Sequence, residues 1–329
     1  MEFNSYHSNW DLSKHSFLIT GGAGFIGSNL TEYLVKFGAG KIRILDNLST
    51  GNLDNIKDFI NLPNVEFFEG DIRSYSSCVK ALKGIDFVSH QAALGSVPRS
   101  INDPITSNEV NINGFLNILN AAKEENVIRM VYAASSSTYG DSKILPKEES
   151  VIGHPLSPYA VTKYVNELYA QVFSKTYGFN TIGLRYFNVF GPKQNLKGPY
   201  AAVIPLFITQ MLKNEQPFIN GNGESSRDFT YVANVVQANI KSFLKGTLNT
   251  PLILNVAYGE QVSLLKLVST INNKLGTNIT PQFRDFRAGD VMHSLADINK
   301  ARIELGYNPE YSFEMGIEQT IPFYKDTLI

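Results

Sequence analysis

The chain predicts a doubly wound parallel α/β sheet with a smaller interleaved α/β lobe, and three observations predict it. Apolar strand-like runs alternate with helix-like segments from residue 17 to about 186, the pattern of βαβ units. A glycine turn, Gly21-Gly-Ala-Gly-Phe-Ile-Gly27, joins the first such strand to the first helix. Beyond residue 190 the alternation loosens, and Pro and Gly recur at Gly191-Pro192, Pro205, Pro217 and Gly221-Asn-Gly223. No fixed-period repeat or long flexible linker separates the two regions, so interleaved lobes are expected rather than beads on a string.

In chain order, residues 1–14 are polar and lack the basic start and apolar middle of a secretion signal. They are expected to form a surface arm. The strand from Phe17 then runs into Gly21, Gly24 and Gly27. Glycine there tightens the turn, admits a diphosphate close to the backbone and lets helix pack on strand. The free amides at the helix start, with the dipole behind them, attract phosphate. A tight turn without a ligand is the plainer reading of the glycines alone. The second strand, Lys41-Ile-Arg-Ile-Leu-Asp-Asn47, adds context, because it ends in Asp46 about 20 residues after the glycines. A carboxylate at that point accepts hydrogen bonds from ribose hydroxyls and repels a 2′-phosphate, so the expected cofactor is NAD rather than NADP.

Residues 65–71, 87–93, 130–134 and 181–186 read as further strands, and 111–122 as a helix. After Pro158, a second helix carries Val161, Tyr164, Val165, Leu168, Tyr169, Val172 and Phe173 as one apolar stripe. Such a stripe packs on the sheet or on a second subunit. Residues 251–257 read as a buried strand returning to the first sheet. The expected division is therefore 15–187, with about 229–257 returning, as the cofactor-binding domain. About 188–228 and 258–329 form the smaller substrate-binding lobe.

The chain has 329 residues and balances 29 Lys and Arg against 30 acidic residues, so no net field draws it to nucleic acid. A lone Cys78 excludes an internal disulfide and fits a reducing cytoplasm. No apolar run reaches membrane-spanning length. The 5 histidines show no ligand spacing, so no metal site is expected.

Oxidising an alcohol with NAD requires a base for the hydroxyl proton. A tyrosine serves if a nearby positive charge pulls its phenol down from near pKa 10. Ser157-Pro-Tyr-Ala-Val-Thr-Lys163 supplies this arrangement. Ser157 caps, Pro158 suits the first turn, and Tyr159 and Lys163 share a face. Lys163 is also in reach of the nicotinamide ribose. With 16 tyrosines, roughly one Tyr-x-x-x-Lys pair arises by chance. A second one, Tyr139 to Lys143, is interrupted by Gly140-Asp141-Ser142, which argues against a helix there. Ser135-Ser-Ser-Thr138 follows the fifth strand, and ligands of open α/β sheets sit beyond carboxyl ends of strands. One of these hydroxyls is expected to hydrogen-bond the reacting oxygen; a polar turn is the plainer alternative. Asn111 and Gln91-Ala92-Ala93 border the same cleft, Asn111 having helix packing as its plainer role.

Gly21 to Gly27, Gly70-Asp71, Ser135-Ser-Ser-Thr-Tyr-Gly140, Tyr159-x-x-x-Lys163, Arg185-Tyr-Phe-Asn-Val-Phe-Gly-Pro192 and Ser226-Arg-Asp228 follow one another in order. In these motifs, over nearly its whole length, the chain resembles the extended short-chain dehydrogenase/reductases and, within them, the sugar-nucleotide 4-epimerases. His90-Gln-Ala-Ala-Leu-Gly-Ser-Val-Pro-Arg-Ser100 resembles the bacterial UDP-N-acetylglucosamine 4-epimerases of surface-polysaccharide pathways. The resemblance implies a Rossmann-type sheet, Tyr159 as base, Lys163 as its partner and Ser135 as the catalytic serine. Ser136 and Ser137 remain rivals, because the family's spacing varies by one residue. It implies tightly bound NAD contacted by Gly21, Gly24, Phe25, Ile26, Gly27, Asp46, Asn47, Ser49, Gly51, Asp71, Ile72, Gln91, Ala92, Ala93, Asn111, Tyr159, Lys163 and Tyr186. For the UDP-sugar it implies Gly95, Ser96, Ser135, Ser136, Ser137, Tyr159, Asn188, Ala202, Val203, Arg227, Arg287, Asp290 and Ser294. Two arginines suit a diphosphate that the glycine loop does not reach, although a surface ion pair is the plainer role for either. A cytoplasmic homodimer, joined through the Tyr-Lys helix and the helix before the serine strand, is implied as well.

Related dehydratases and decarboxylases carry Asp-Glu or Glu after their catalytic Thr or Ser. Ser136 and Ser137 stand there in this chain, so return of hydride to the opposite face of a 4-ketone is expected. Ser294 stands where glucose-restricted relatives carry tyrosine, and Gly95 and Ser96 replace bulkier side chains. Added room permits an acetamido group without requiring one, which favours UDP-GlcNAc and UDP-GalNAc, with UDP-glucose and UDP-galactose as further substrates. The alternatives are a sugar-nucleotide dehydratase or uronate epimerase, and a non-catalytic NAD-binding protein. The last would be marked by a lost tyrosine, lysine or serine, and all three are present.

Overall fold

Seven parallel strands form the central sheet of the computed structural model, which describes residues 3–8, 10–196, 202–246, 248, 250–285 and 292–328. Six are β1 Ser16–Thr20, β2 Lys41–Asp46, β3 Val65–Glu69, β4 Phe87–His90, β5 Arg129–Ser135 and β6 Thr181–Tyr186. The seventh, Leu252–Val256, pairs with β6 from Leu252 opposite Ile182 to Val256 opposite Tyr186. Across the sheet the order is Leu252–Val256, β6, β5, β4, β1, β2, β3. The winding therefore reverses between β1 and β4, which opens a crevice beyond their carboxyl ends.

Helices cover both faces, which explains why the strands read as apolar runs rather than alternating ones. Among the helices are α1 Phe25–Lys36, α2 Tyr75–Leu82, α3 Val97–Asn102, α4 Pro104–Asn108, α5 Gly114–Glu124, α6 Pro158–Tyr177, α7 Val203–Leu212 and α8 Val232–Leu244, followed by Leu264–Leu275, Asn299–Leu305 and Phe313–Leu328. One apolar core joins β1 and β2 to α1 and α8, through Phe17, Ile19, Leu30, Leu34, Val236 and Ile240. The other joins them to α2, α5 and α6, through Leu18, Leu45, Leu82, Ile118, Leu119 and Phe173. The smaller lobe rests on short pairings: Phe218–Asn220 with Gln282–Arg284, Ser226–Arg227 with Val262–Ser263, and Val189–Phe190 with Thr230–Tyr231. Among the described residues no helix is long and apolar enough to cross a membrane.

Two placements differ from the sequence expectation, and the α6 stripe divides between the two roles expected of it. The amino-terminal arm is packed: Phe3, Tyr6 and Leu12 are buried. The Tyr6 ring stacks on Tyr33 of α1 at 5.4 Å, and its N–H donates to Tyr33 Oη at 2.7 Å. The helix expected over 111–122 begins earlier and starts with a π-helical turn, Glu109–Asn113, a form that recurs at functional sites. The apolar stripe of α6 faces outward in part, with Val161, Leu168 and Val172 exposed by 45%, 43% and 55%. Thr162, Lys163, Asn166, Glu167 and Ala170 are buried instead. The polar inner face is tolerated because distant groups meet it, above all Arg185, which pairs bidentately with Glu167 at 2.8 and 2.9 Å.

Candidate active site

The first turn of α1 is built for a phosphate. Gly24 is its N-cap and makes no side-chain cap bond, so the first amides of the helix have no acceptor from a capping side chain. A Cβ on Gly27 would lie 2.3 Å from the Gly21 carbonyl oxygen, and Gly21 sits at φ +67° against Ala92 of the neighbouring loop. Both positions exclude larger residues. Phe25 and Ile26 open the helix and pack on the first apolar core.

Asp46, the last residue of β2, accepts from the Ala23 N–H at 3.0 Å and the Leu48 N–H at 2.9 Å. Burial raises its pKa, against those backbone bonds. A Cβ on Gly51 would lie 2.9 Å from both Asp46 oxygens, so glycine there keeps the carboxylate approachable. Asn47 donates to Asp71 at 3.0 Å and accepts from the Ser49 N–H at 3.1 Å. Asp71 also accepts from Arg73 at 2.7 Å, and those bonds hold its carboxyl down at about 2. Ile72 is buried, pressed against Gly114 of α5. The uncapped helix start, the two excluded Cβ positions and the open acidic strand end together fit the diphosphate and ribose of a dinucleotide.

Across the crevice, α6 brings the Tyr-Lys pair to the end of β5. Lys163 is buried and donates from Nζ to the Ala133 carbonyl at 2.8 Å. Its Nζ lies 5.9 Å from the Tyr159 ring centroid. Ser135, last in β5, stands beside Tyr159 and acts to lower the pKa of its phenol. Ser135 Oγ also accepts from the Ser137 N–H at 3.1 Å and from Ser137 Oγ at 2.9 Å. Of the three rival serines, Ser135 is the one whose side chain acts on the phenol. Ser136 begins the short turn Ser136–Tyr139 and is half-buried.

The electrostatics differ from the expectation that the lysine sets the tyrosine. Burial pushes the Tyr159 phenol up, and the Ser135 hydrogen bond acts in the opposite direction. Burial also holds the Lys163 amine down at about 8. His90 ends β4, shares a hydrogen bond with Thr20 at 2.8 Å and is pushed down to about 3 by burial and then by Lys163. Its imidazole is therefore uncharged and only weakly basic. The second Tyr-x-x-x-Lys pair forms no helix: Tyr139 ends a short turn and donates to Asn255 at 2.6 Å.

Asn111 lies in the π-helical turn. Its Oδ1 accepts from the Leu94 N–H at 2.8 Å, and its Nδ2 donates to the Leu94 carbonyl and to Thr162 Oγ1, both at 3.2 Å. Gln91 donates to Ser89 at 2.8 Å, Tyr186 at 3.1 Å and Asn239 at 3.2 Å. Gln91 and Tyr186 are therefore joined in one polar network at the strand ends, while Ala92 and Ala93 continue the loop beside Gly21. Two residues with no sequence signal touch the Tyr159 backbone. Thr162 Oγ1 donates to its carbonyl at 2.8 Å, and Ser100 Oγ accepts from its N–H at 3.0 Å.

The residues expected to meet the sugar nucleotide lie partly on the smaller lobe and partly on the loop before α3. Asn188, at φ +35°, donates to the Asp228 carbonyl at 3.0 Å. Arg227 donates to the Ser226 carbonyl at 3.0 Å and the Met292 carbonyl at 3.2 Å. The Ser294 N–H donates to the Ser226 carbonyl at 3.1 Å. Ser96 caps α3 by accepting from the Arg99 N–H at 3.2 Å, and Gly95 faces open space. Ala202 and Val203 open α7. Arg287 and Asp290 lie outside the described residues.

The family described as GDP-mannose 4,6 dehydratase matches residues 18–320. A putative UDP-glucose 4-epimerase of Methanocaldococcus jannaschii is 37% identical over 94% of this chain and 98% of its own length. The UDP-N-acetylglucosamine 4-epimerase from Methanobrevibacter ruminantium M1, solved with UDP-N-acetylmuramic acid, superposes with a TM-score of 0.90 at 38% identity. That match covers 95% of this chain and 99% of the other. A Thermus thermophilus UDP-glucose 4-epimerase solved with NAD superposes with a TM-score of 0.83 at 32% identity, covering 94% and 99%.

Proposed function

The chain belongs to the nucleotide-sugar 4-epimerases of the extended short-chain dehydrogenase/reductase family, and on that footing we propose that it interconverts UDP-N-acetylglucosamine and UDP-N-acetylgalactosamine. Its cofactor is NAD, held by the glycine turn, the start of α1 and Asp46. When bound there, NAD would supply a reversible hydride acceptor for C4 of the sugar, so that hydride could return to the opposite face of a 4-ketone.

Tyr159 Oη takes the proton of the C4 hydroxyl and gives it back after the sugar has turned about its diphosphate link. Ser135 Oγ, which stands beside Tyr159, steadies the oxygen that loses and regains that proton. Lys163, fixed on the Ala133 carbonyl, keeps positive charge beside the phenolate. Arg227 and Asn188 hold the diphosphate end. Epimerisation is favoured over elimination because Ser136 and Ser137, next to the catalytic serine, offer no carboxylate to move a second proton.

Preference for the acetylated sugar rests on Ser294. Its backbone is bound to Ser226, the residue before Arg227, and a side chain this small leaves space for a 2-acetamido group. Gly95, with open space where a side chain would project, supports the same reading. The exposed apolar face of α6 formed by Val161, Leu168 and Val172 supports a homodimer, a second copy being a partner that presents the same face.

NMR of purified protein with UDP-GlcNAc, and no added NAD, tests this. UDP-GalNAc should appear. A 4-keto-6-deoxy product would replace epimerisation with dehydration, and turnover of UDP-glucose alone would remove the acetylated substrate. Ser294→Tyr should lose UDP-GlcNAc turnover while retaining UDP-glucose; full UDP-GlcNAc activity in that variant contradicts the assignment.

A further inference from the structure

The first turn of a helix leaves its amides without intrahelical acceptors. In α6, Pro158, at the first position, has no N–H. Ser157 Oγ accepts from the Ala160 N–H at 3.2 Å, while its carbonyl takes the first intrahelical bond, from Val161 at 3.1 Å. The N–H of Tyr159 remains, and its acceptor comes from another helix. Ser100 Oγ, on α3, receives it at 3.0 Å. The hydroxyl hydrogen of Ser100 is committed elsewhere, to the Val97 carbonyl at 2.8 Å. That leaves an oxygen lone pair aimed at Tyr159, and Ser100 is fully buried.

The Tyr159 carbonyl is tied to the same stretch of chain. It accepts from Thr162 Oγ1, which accepts in turn from Asn111, which holds Leu94 by both its backbone groups. Both peptide groups of Tyr159 are thus anchored to the segment 94–100, one directly through Ser100 and one through Thr162 and Asn111. We propose that Ser100 is a positioning residue for the reaction: it fixes the backbone of Tyr159, and through it the height of the phenol over Ser135. The segment it belongs to also carries Gly95 and Ser96, so the sugar end of the cleft and the base move as one body.

Small displacements matter here, since misplacing a reacting group by about 1 Å can cost about 10²-fold in rate. Replacing the Ser100 hydroxyl by hydrogen, as in Ser100→Ala, removes the acceptor that holds that amide among the described residues.

This inference rests on the reading of Tyr159 as the base, so Tyr159→Phe is assayed beside Ser100→Ala and Ser100→Thr. All are tested as full-length protein on UDP-GlcNAc and UDP-glucose. In Ser100→Ala we expect kcat to fall tenfold or more, as an order of magnitude within that cost, with KM changed little. Hydrogen exchange at the Tyr159 amide should accelerate, and the thermal midpoint should stay close to wild type. Ser100→Thr, which keeps the hydroxyl, should restore both amide protection and kcat. Unchanged kcat or unchanged exchange in Ser100→Ala overturns the proposal. A parallel loss of kcat, KM and thermal stability also overturns it, by making Ser100 a general packing residue. Activity surviving in Tyr159→Phe would instead remove the base assignment itself. An inactive Tyr159→Phe alongside a fully active Ser100→Ala would remove the Ser100 role alone.

Discussion

Lys163 carries a charge that burial opposes. Its amine is held at about 8, while an unfolded lysine stays charged to about 10.4. Between those two values the unfolded chain keeps a proton that the folded chain has released, so this residue makes stability rise with pH across that window. Its destabilising contribution is fully present below about pH 8. Catalysis runs the other way, because the phenolate of Tyr159 needs the positive charge. The descending limb of the kcat profile should therefore fall near pH 8, and Lys163→Met should lower kcat and abolish that limb. A wild-type rate that is level through pH 10 would contradict the role given to the amine. The spacing of Tyr159 and Lys163 was readable, since four residues make one helical turn. The balance of their pKa values was not, because it depends on burial that no sequence spacing encodes.

At the scale of the element, α6 is held to the sheet by its polar face. Glu167 and Arg185 form a bidentate pair with both side chains almost wholly buried. Removing one partner leaves the other charge without compensation, which costs about 3–5 kcal/mol. Glu167→Ala should lose about that much stability in urea unfolding; a change below 1 kcal/mol would show that water reaches the guanidinium. This pair also explains what the hydrophobic pattern left open. The period located the helix, but which face turns inward was decided by Arg185 on β6 and Ala133 on β5, partners remote in sequence. The same holds for Ser100 and the Tyr159 amide. An unfilled first-turn donor could be inferred from Ser157-Pro158, but its acceptor lies 59 residues away.

For the whole molecule, the central sheet was legible because helices on both faces force its strands to be continuous apolar runs. The smaller lobe was not, since strands such as Ser226–Arg227 and Val262–Ser263 are too short to show a period. The packing of the amino-terminal arm was not legible for a different reason: its anchors Phe3 and Tyr6 are isolated aromatics in a polar stretch, and their partner Tyr33 lies on α1. The outward face of α6 predicts assembly. A Leu168→Glu, Val172→Glu double variant should run as a monomer in light scattering while wild type runs as a dimer; a monomeric wild type would refute the proposed interface. What unites the scales is the meeting of Tyr159, Ser135 and Lys163 at the end of β5, opposite the glycine turn. A crystal structure with NAD and a UDP-sugar tests that meeting most directly, through the distance from Tyr159 Oη to the sugar O4. Hydrogen-bond reach, about 2.6–3.2 Å, with Ser135 Oγ on the same oxygen, is the predicted result. A phenol turned away from O4, with another side chain in its place, would contradict it.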